Sequence, residues 1–311
     1  MKSVAIVAGQ SSYRTPDFLK AASLLRIEAH VVGDGEVPGY QSRLEVCLDE
    51  PAAAGRIIAE QFPHIDAVIG VDDHAVATAA AAAELLGLPH NSPDSVFATR
   101  DKARLRRELA RHNVRQPKFR MAPPGAVIPA AGEIGFPVVV KPIGLSASRG
   151  VIRADDRTEA AVAENRIRAI LGAADLPAGQ PLLVEEYIPG DEIVIEGLLG
   201  GDGVEVLAII DKPDPLEGPF FEETLYVTPS RHGLEIQHRA IGLVTEAVAA
   251  IGLTTGPIHA EVRIDPDGDC FLIEIAARSI GGLCGRAFTF GLLGESLEVL
   301  IPVSYTHLTL P

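Results

Sequence analysis

Ile258-His-Ala-Glu-Val-Arg-Ile264 and Cys270-Phe-Leu-Ile-Glu-Ile-Ala276 are two stretches in which apolar and polar residues alternate, and Asp265-Pro-Asp-Gly-Asp269 separates them. Alternation with a period of two residues is typical of strands that bury one face. Within the separating segment, Asp267-Gly268 is a strong signal for a two-residue turn. The three stretches together predict an antiparallel β-hairpin.

The predicted hairpin brings two carboxylates together. With Asp267-Gly268 at the centre of the turn, Glu261 lies directly opposite Glu274, and His259 shares their face. Carboxylates that face each other across a strand pair repel, so this pair is favourable where a divalent cation such as Mg²⁺ lies between them. Two alternatives stay open: both glutamates face solvent, or a three-residue bulged turn changes the register.

A second candidate site follows the apolar stretch Pro137-Val-Val-Val-Lys141. The next loop, Gly144-Leu-Ser-Ala-Ser-Arg-Gly150, can expose backbone N–H groups beside the Lys141 ammonium. This combination suits a polyphosphate. Many strands end in a lysine, however, and the chain has no Walker A motif, so the signal is weak on its own.

A third candidate site lies at the end of the strand predicted over Pro181-Leu-Leu-Val-Glu-Glu-Tyr-Ile188. Pro189-Gly190 stops this strand, and Glu192 follows it. A free strand edge beside a carboxylate could bind a base and accept hydrogen bonds from ribose hydroxyls. The alternative is an exposed strand end on an acidic surface.

Residues 1 to about 92 alternate short apolar strands with helices. Strands are predicted at 4–7, 29–32 and 67–71, and helices at 16–25, at 54–62 and over the Ala-rich stretch after Asp72-Asp73. This alternation predicts a parallel sheet in a small doubly wound α/β domain. The dinucleotide-binding pattern G-x-G-x-x-G is absent from it.

Two further segments are predicted, a connection in the middle of the chain and a short helix near its end. Residues 114–134 are rich in Pro and Gly and are expected to form a connection. Residues 294–301 are predicted to form a helix that the following Ser304-Tyr-Thr-His-Leu-Thr-Leu-Pro311 does not continue. That final segment resembles a translated adapter, and we expect it to be a non-native tail of a truncated reading frame.

The composition of the chain excludes several classes of partner. Its 311 residues include 42 Asp and Glu against 27 Lys and Arg, which gives a net charge of −15. This balance argues against a nucleic-acid or membrane partner, because phosphate groups are repelled. The 3 cysteines are few and widely spaced, so no disulfide framework is expected and a cytoplasmic location fits.

The candidate motifs occur in a particular order along the chain. They are Asp101-Lys102, Phe136-Pro-Val-Val-Val-Lys141 with its loop, Val184-Glu-Glu-Tyr-Ile-Pro-Gly-Asp-Glu192, His259-Ala-Glu261, and Glu274 with Arg278. This ordered set resembles the ATP-grasp superfamily over roughly residues 1–300. Many members carry a metal-binding Asn two residues after the second glutamate, where this chain has Ala276. Glu274-Ile-Ala-Ala-Arg278 is instead similar to the carboxylate–amine, or L-amino-acid, ligase branch.

The resemblance implies a mixed α/β and α+β architecture. An N-terminal doubly wound pre-ATP-grasp domain would cover residues 1–95 and precede a two-subdomain ATP-grasp fold. The lid subdomain with its linker helix would cover 96–188, and the C-terminal subdomain 189–302. Residues 303–311 would be the non-native tail.

The resemblance also implies roles for individual residues. Lys102 and Lys141 would hold the ATP phosphates, beneath a lid loop that contains Ser146, Ser148 and Gly150. Adenine would be read by Glu185 and by the backbone of Glu186 and Ile188, and Glu192 would take the ribose hydroxyls. Glu261 and Glu274 would bind Mg²⁺ or Mn²⁺. The catalytic set would be His259 facing the phosphates, Arg278 steadying the transferred phosphoryl group, and Glu223 at a metal or at a substrate ammonium.

The implied activity is the ADP-forming ligation of a carboxylate, expected to be an amino acid, to an amine through an acyl phosphate. The partners would be small molecules, and the resemblance also allows a homodimer. Three alternatives stay open: a biotin carboxylase-like enzyme, a purine-biosynthetic ATP-grasp enzyme, and a truncated ATP-binding module without catalysis.

Overall fold

The computed structural model describes residues 1–10, 12–35, 43–201, 203–289 and 293–306. Within these ranges the strands form three four-stranded sheets. One sheet is parallel and two are antiparallel, and helices pack against each of them. The fold is therefore mixed α/β and α+β, as predicted.

The first sheet belongs to the N-terminal region. Its elements are β1 (Ser3–Ala8), α1 (Thr15–Leu24), β2 (Glu28–Gly33), β3 (Arg43–Glu45), α2 (Pro51–Gln61), β4 (Ala67–Gly70) and α3 (Val76–Leu86). The strands are parallel in the order β3-β2-β1-β4. Sequence analysis did not predict β3, which has three residues and lies at the edge of the sheet.

Both faces of this sheet are covered, because the side chains of β1 alternate between two cores. Val4 and Ile6 pack with Phe18 of α1 on one face. Ala5 and Val7 pack on the other face, in the core that includes residues of α2 and α3. Burial on both faces explains why β1 is apolar throughout, and it confirms the doubly wound prediction.

Two helices lead from the first sheet to the second. They are α4 (Pro93–Arg100) and α5 (Lys102–Arg111). The side chain of Asp101 accepts a hydrogen bond of 2.8 Å from the backbone N–H of Arg104 and so caps α5. This cap fixes the start of the helix at Lys102, whose side chain reaches the site described below.

The second sheet follows α5 along the chain. Its elements are β5 (Phe119–Ala122), α6 (Val127–Ile134), β6 (Val138–Lys141), β7 (Ile152–Ala154), α7 (Arg157–Ala173) and β8 (Leu182–Glu186), with strand order β5-β8-β6-β7. The prediction that 114–134 is only a connection is wrong. Pro123, Pro124 and Gly125 occupy a short turn between β5 and α6, and β5 is a strand because β8 pairs with it.

The third sheet forms the floor of the site. Its elements are β9 (Asp191–Gly200), β10 (Gly203–Lys212), α8 (Leu234–Ile251), β11 (Gly256–Ile264) and β12 (Cys270–Ala276). The strands are antiparallel in the order β10-β9-β11-β12. Helix α8 packs on one face through Leu243, Val244 and Ala247. The opposite face joins the N-terminal core through Val194 and Ile210.

The last two helices close the core between the first and third sheets. They are α9 (Gly285–Thr289) and α10 (Leu297–Thr306). Helix α10 continues past Ile301, so the prediction that residues from 304 onward do not continue it is wrong for 304–306. Leu297 and Ile301 are buried against the N-terminal sheet. Residues 307–311 of the predicted tail lie outside the described ranges.

Candidate functional site

A cavity of about 510 Å³ lies where the second sheet, the third sheet and the N-terminal region meet. All but one of the predicted site residues line it. They are Lys102, Lys141, Ser146, Ser148, Glu185, Glu186, Ile188, Glu192, Glu223, His259, Glu261, Glu274 and Arg278. The exception is Gly150, which lines a neighbouring cavity that shares Ser148. Residues far apart in the chain therefore converge as the motifs predicted.

The hairpin of β11 and β12 places Glu261 opposite Glu274, as predicted, but its loop and its strand pairing differ from those predicted. The prediction of a two-residue turn at Asp267-Gly268 is wrong, because Ile264 pairs with Cys270 and a five-residue loop joins them. That loop alone would move the register by one residue. A β-bulge between the Val262–Leu272 and Glu261–Glu274 pairs adds one residue to β12 and restores the register.

The two facing glutamates are each held by cations in the free protein. Glu274 contacts the Lys102 ammonium at 3.3 Å, and the same ammonium donates to the carbonyl of Leu145, in the loop after β6, at 2.9 Å. Glu261 lies 3.2 Å from the Lys212 ammonium. Although burial opposes ionisation, Lys212 and His259 lower the pKa of the Glu261 carboxyl well below its ordinary value. Each of the two carboxylates thus faces the cavity beside a lysine ammonium.

Lys212, at the end of β10, lies at the centre of three carboxylates. Its ammonium is 2.7 Å from Glu192, 2.5 Å from Glu223 and 3.2 Å from Glu261. Burial opposes the charge of Lys212, but these carboxylates outweigh it and raise its pKa. Oxygens of the three glutamates lie within 4.8 Å of one another, a spacing that could hold a metal ion. The ammonium occupies the position that such a cation would take.

His259 is buried between two glutamates. Its Nδ1 bonds the carboxylate of Glu196, and its Nε2 is 3.5 Å from Glu261. The second Glu196 oxygen accepts the backbone N–H of Ile280 at 2.9 Å. Burial alone would lower the pKa of the His259 imidazole, but Glu196 raises it to about 9. A pKa of about 9 keeps the His259 imidazole cationic at neutral pH.

Lys141, at the end of β6, is positioned by a buried chain of ion pairs. Its ammonium is 2.5 Å from one oxygen of Glu185, and the Arg106 guanidinium is 2.6 Å from the other. Burial favours the neutral form of Glu185, yet the two cations lower its pKa to about 2. Both Glu185 oxygens are thus committed to holding Lys141 and Arg106. The adenine contact expected at this position stays a prediction.

Arg278 follows β12 and reaches towards the N-terminal region. Its Nε lies 2.9 Å from Asp73, at the carboxyl end of the first sheet. A second buried arginine, Arg14, donates to the carbonyl of Val71 at 2.7 Å and to the Ser279 hydroxyl at 2.5 Å. The N-terminal region therefore supplies one wall of the cavity and fixes the segment around Arg278.

Sequence analysis did not assign Lys212, Arg106, Glu196, Asp73 or Arg14 to the site. Lys212 directly precedes Pro213 and Arg106 lies in the arginine-rich stretch 102–111, and neither has a local pattern that separates it from a solvated residue. A lysine that ends an apolar stretch directly before the Pro-rich segment starting at Pro213 is a weak signal for Lys212. The others become recognisable only when distant segments are placed together.

Comparison with known proteins identifies the class to which this fold and site belong. The family model of the ATP-grasp domain matches residues 134–287. The chain therefore carries an ATP-grasp domain, and it resembles the amino-acid ligase branch. The L-amino acid ligase from Bacillus licheniformis superposes with a TM-score of 0.78 at 26% identity, over 98% of this chain and 74% of that one.

Two curated relatives are also similar to this chain. Alanine–anticapsin ligase of Bacillus subtilis is 27% identical over 70% of this chain and 49% of its own length. An uncharacterised protein of Sinorhizobium fredii (strain NBRC 101917 / NGR234) is 31% identical over 69% of this chain and 44% of its own length. The chain thus spans about half the length of these relatives. Among the described residues, no helix is long and apolar enough to cross a membrane.

Proposed function

We propose that the chain is an ATP- and Mg²⁺-dependent ligase that activates an amino-acid carboxylate as an acyl phosphate and joins it to an amine. The observation that carries this is the convergence of Lys102, Lys141, His259 and Arg278 with the facing Glu261–Glu274 pair around one cavity. Four cations suit a polyphosphate and a developing anion, and paired carboxylates suit a divalent cation. The amino-acid ligases named above support the substrate class.

The reaction needs charge stabilisation more than covalent catalysis. A carboxylate oxygen attacks the γ-phosphorus of ATP, the bond to the β-phosphate oxygen breaks, and ADP leaves. The amine then attacks the acyl carbon, the C–O bond to phosphate breaks, and the amine loses a proton to solvent. Lys102, Lys141 and His259 would neutralise the phosphates, and Arg278 would bind the phosphoryl oxygens.

The carboxylates present fit a divalent cation. Glu261 and Glu274 are both partly exposed to the cavity and share one face, and their oxygens are the hard ligands that Mg²⁺ takes. When bound, the ion would neutralise phosphate charge. Glu223, which already binds the Lys212 ammonium, would hold a substrate ammonium or a metal. The roles of Ser146, Ser148 and Gly150 as lid, and of Glu186, Ile188 and Glu192 at the nucleoside, are part of this proposal.

The experiment is ADP release from Mg·ATP with a panel of amino acids, with and without a second amine. Release that depends on particular amino acids is the expected result. Glu274→Gln should reduce turnover at least a hundredfold, because it removes a metal ligand. Glu133→Gln is the matched control, since Glu133 forms an exposed ion pair with Arg120 at 2.8 Å on the lid.

Other outcomes separate the alternatives. Release that requires bicarbonate would favour a biotin carboxylase-like or purine-biosynthetic enzyme. Nucleotide binding without release from any carboxylate would favour a non-catalytic module. Normal turnover by Glu274→Gln would contradict the metal assignment.

A further inference from the structure

Arg106 is the largest side chain that is almost completely buried, with 1% of its surface exposed. It lies on α5, outside the cavity, and none of the proposed binding roles uses it. Its guanidinium donates to four groups: Glu185 at 2.6 Å, the Gln116 side-chain oxygen at 3.5 Å, the Leu272 carbonyl at 3.1 Å and the Ile273 carbonyl at 2.7 Å. A buried arginine with this many partners is held in one position.

The two carbonyl contacts coincide with the bulge in β12. In a regular strand, successive carbonyls point to opposite sides, so one guanidinium could not bind two in a row. Leu272 and Ile273 do so because Ile273 is the extra residue of the bulge, lying between the Val262–Leu272 and Glu261–Glu274 pairs. The bulge turns the Ile273 carbonyl out of the ladder, and Arg106 supplies its hydrogen bond.

The bulge decides the face on which Glu274 lies. If Ile273 were paired in the regular ladder, it would lie opposite Glu261. Glu274 would then lie on the other face of the hairpin. An unpaired carbonyl in the bulge would disfavour it, because a buried acceptor without a donor is costly. The hydrogen bonds of Arg106 therefore favour the register in which the two glutamates face each other.

We propose that Arg106 is a positioning residue that stabilises the β12 bulge and thereby aligns Glu274 with Glu261. Through Glu185, the same guanidinium is tied to Lys141, so one side chain connects the phosphate-holding lysine of the lid with the metal-binding pair of the floor. This inference rests on the proposed function only where it calls the glutamates metal ligands. The effect of Arg106 on the register of β12 does not depend on a bound metal.

The test compares Arg106→Lys with Arg107→Lys on the same helix. Lysine keeps a charge for Glu185 but cannot donate to both carbonyls in the guanidinium geometry. Arg107 is exposed and donates to Ala103, within its own helix, so it is a matched control. In hydrogen–deuterium exchange, peptides covering residues 270–276 should exchange at least tenfold faster in folded Arg106→Lys than in Arg107→Lys.

A second readout follows Mn²⁺ binding in the presence of a non-hydrolysable ATP analogue. Arg106→Lys should weaken Mn²⁺ binding at least tenfold, and Arg107→Lys should stay within twofold. Unchanged exchange of 270–276 in a folded Arg106→Lys protein would overturn the inference. Wild-type protein that binds no Mn²⁺ would instead contradict the metal assignment, and the exchange measurement would still decide the role of Arg106.

Deletion of Ile273 provides a background in which the bulge is absent. Leu272 is then followed directly by Glu274, so the Val262–Leu272 and Glu261–Glu274 pairs become consecutive and both are kept. In this background Arg106→Lys should change hairpin exchange less than twofold, because the bulge that Arg106 supports is gone. An equal effect in both backgrounds, or failure of Arg106→Lys to fold in either, would assign Arg106 a general structural role and refute the proposal.

Discussion

Replacing Lys212 by Met tests whether its ammonium is the internal counter-charge of the site. Methionine keeps much of the length and apolar volume of the lysine stem, so packing changes little. What is lost is a charge within 3.2 Å of three carboxylates. The Lys212 side chain is only 4% exposed and that of Glu192 only 8%, so water cannot replace the ammonium.

The expected cost follows from this burial. Removing one partner of a buried ion pair typically destabilises a protein by about 3–5 kcal/mol, because the other charge stays buried and unpaired. An exposed pair contributes about 0–1 kcal/mol. The control is Lys2→Met, which removes the exposed Lys2–Asp66 pair of 2.7 Å. We expect Lys212→Met to lose about 3–5 kcal/mol of the free energy of unfolding and the control to lose less than about 1 kcal/mol.

The assay is urea unfolding at pH 7.5, in EDTA and in 10 mM MgCl₂. Since oxygens of Glu192, Glu223 and Glu261 lie within 4.8 Å of one another, a divalent cation can replace the lost ammonium. Mg²⁺ at a hundred times its dissociation constant would restore about 2.7 kcal/mol. Mg²⁺ should therefore stabilise Lys212→Met more than it stabilises wild-type protein.

A loss below about 1 kcal/mol in EDTA would refute the reasoning, because it would equal the effect of an exposed pair. A full loss that Mg²⁺ does not reduce would leave the counter-charge role intact. It would show that the three carboxylates do not converge closely enough to bind an ion.

The remaining predictions concern a histidine and two glycines. His259 should stay protonated at neutral pH and titrate near its raised pKa of about 9 in an NMR titration, and Glu196→Gln should bring its pKa below that value. Since folding raises the pKa of His259, the stability contributed by the His259–Glu196 pair is complete below about pH 6.5 and is lost as the pH rises through about 9. If His259 titrates at or below pH 6.5 in the folded wild-type protein, this prediction is wrong. Gly190→Ala should lower the melting temperature by several degrees, because Gly190 has φ +101 and an added Cβ would lie 2.1 Å from the Ile264 carbonyl oxygen. Gly172→Ala, in a helix with nothing within 4 Å of the added Cβ, should be neutral or stabilising by up to about 1 kcal/mol, and an equal loss at both sites would argue against the steric explanation.

Much of the fold could be predicted because its signals are local. The strands of the first sheet are short apolar runs, and α8 and β11 follow their hydrophobic periods closely. Segments without a local signal were missed. β5 is a strand because β8 pairs with it, and β3 is a three-residue edge strand. Pairing with a distant segment cannot be read from the residues that are paired.

The prediction that Glu261 lies opposite Glu274 is correct, although the turn from which it was derived is not. Sequence analysis placed a two-residue turn at Asp267-Gly268, whereas the chain forms a five-residue loop and a compensating bulge. The loop closes on itself because Asp265 accepts from the backbone N–H of Asp267 and of Asp269, both at 2.9 Å. Asx hydrogen bonds of this kind compete with a tight turn.

The residue types of the proposed site, their order and their proposed grouping into phosphate, nucleoside and metal sets could be predicted from the sequence alone, because the motifs occur in a recognisable order along the chain. Only the tertiary structure decides which groups neutralise the charges of these residues. Lys212 among three glutamates, Arg106 beneath the bulge and Glu196 behind His259 join segments separated by 11 to 167 residues. A charge is buried favourably only when a group of opposite charge or a hydrogen-bond partner lies beside it. That partner is near in space, and the order of residues along the chain does not specify which residue it is.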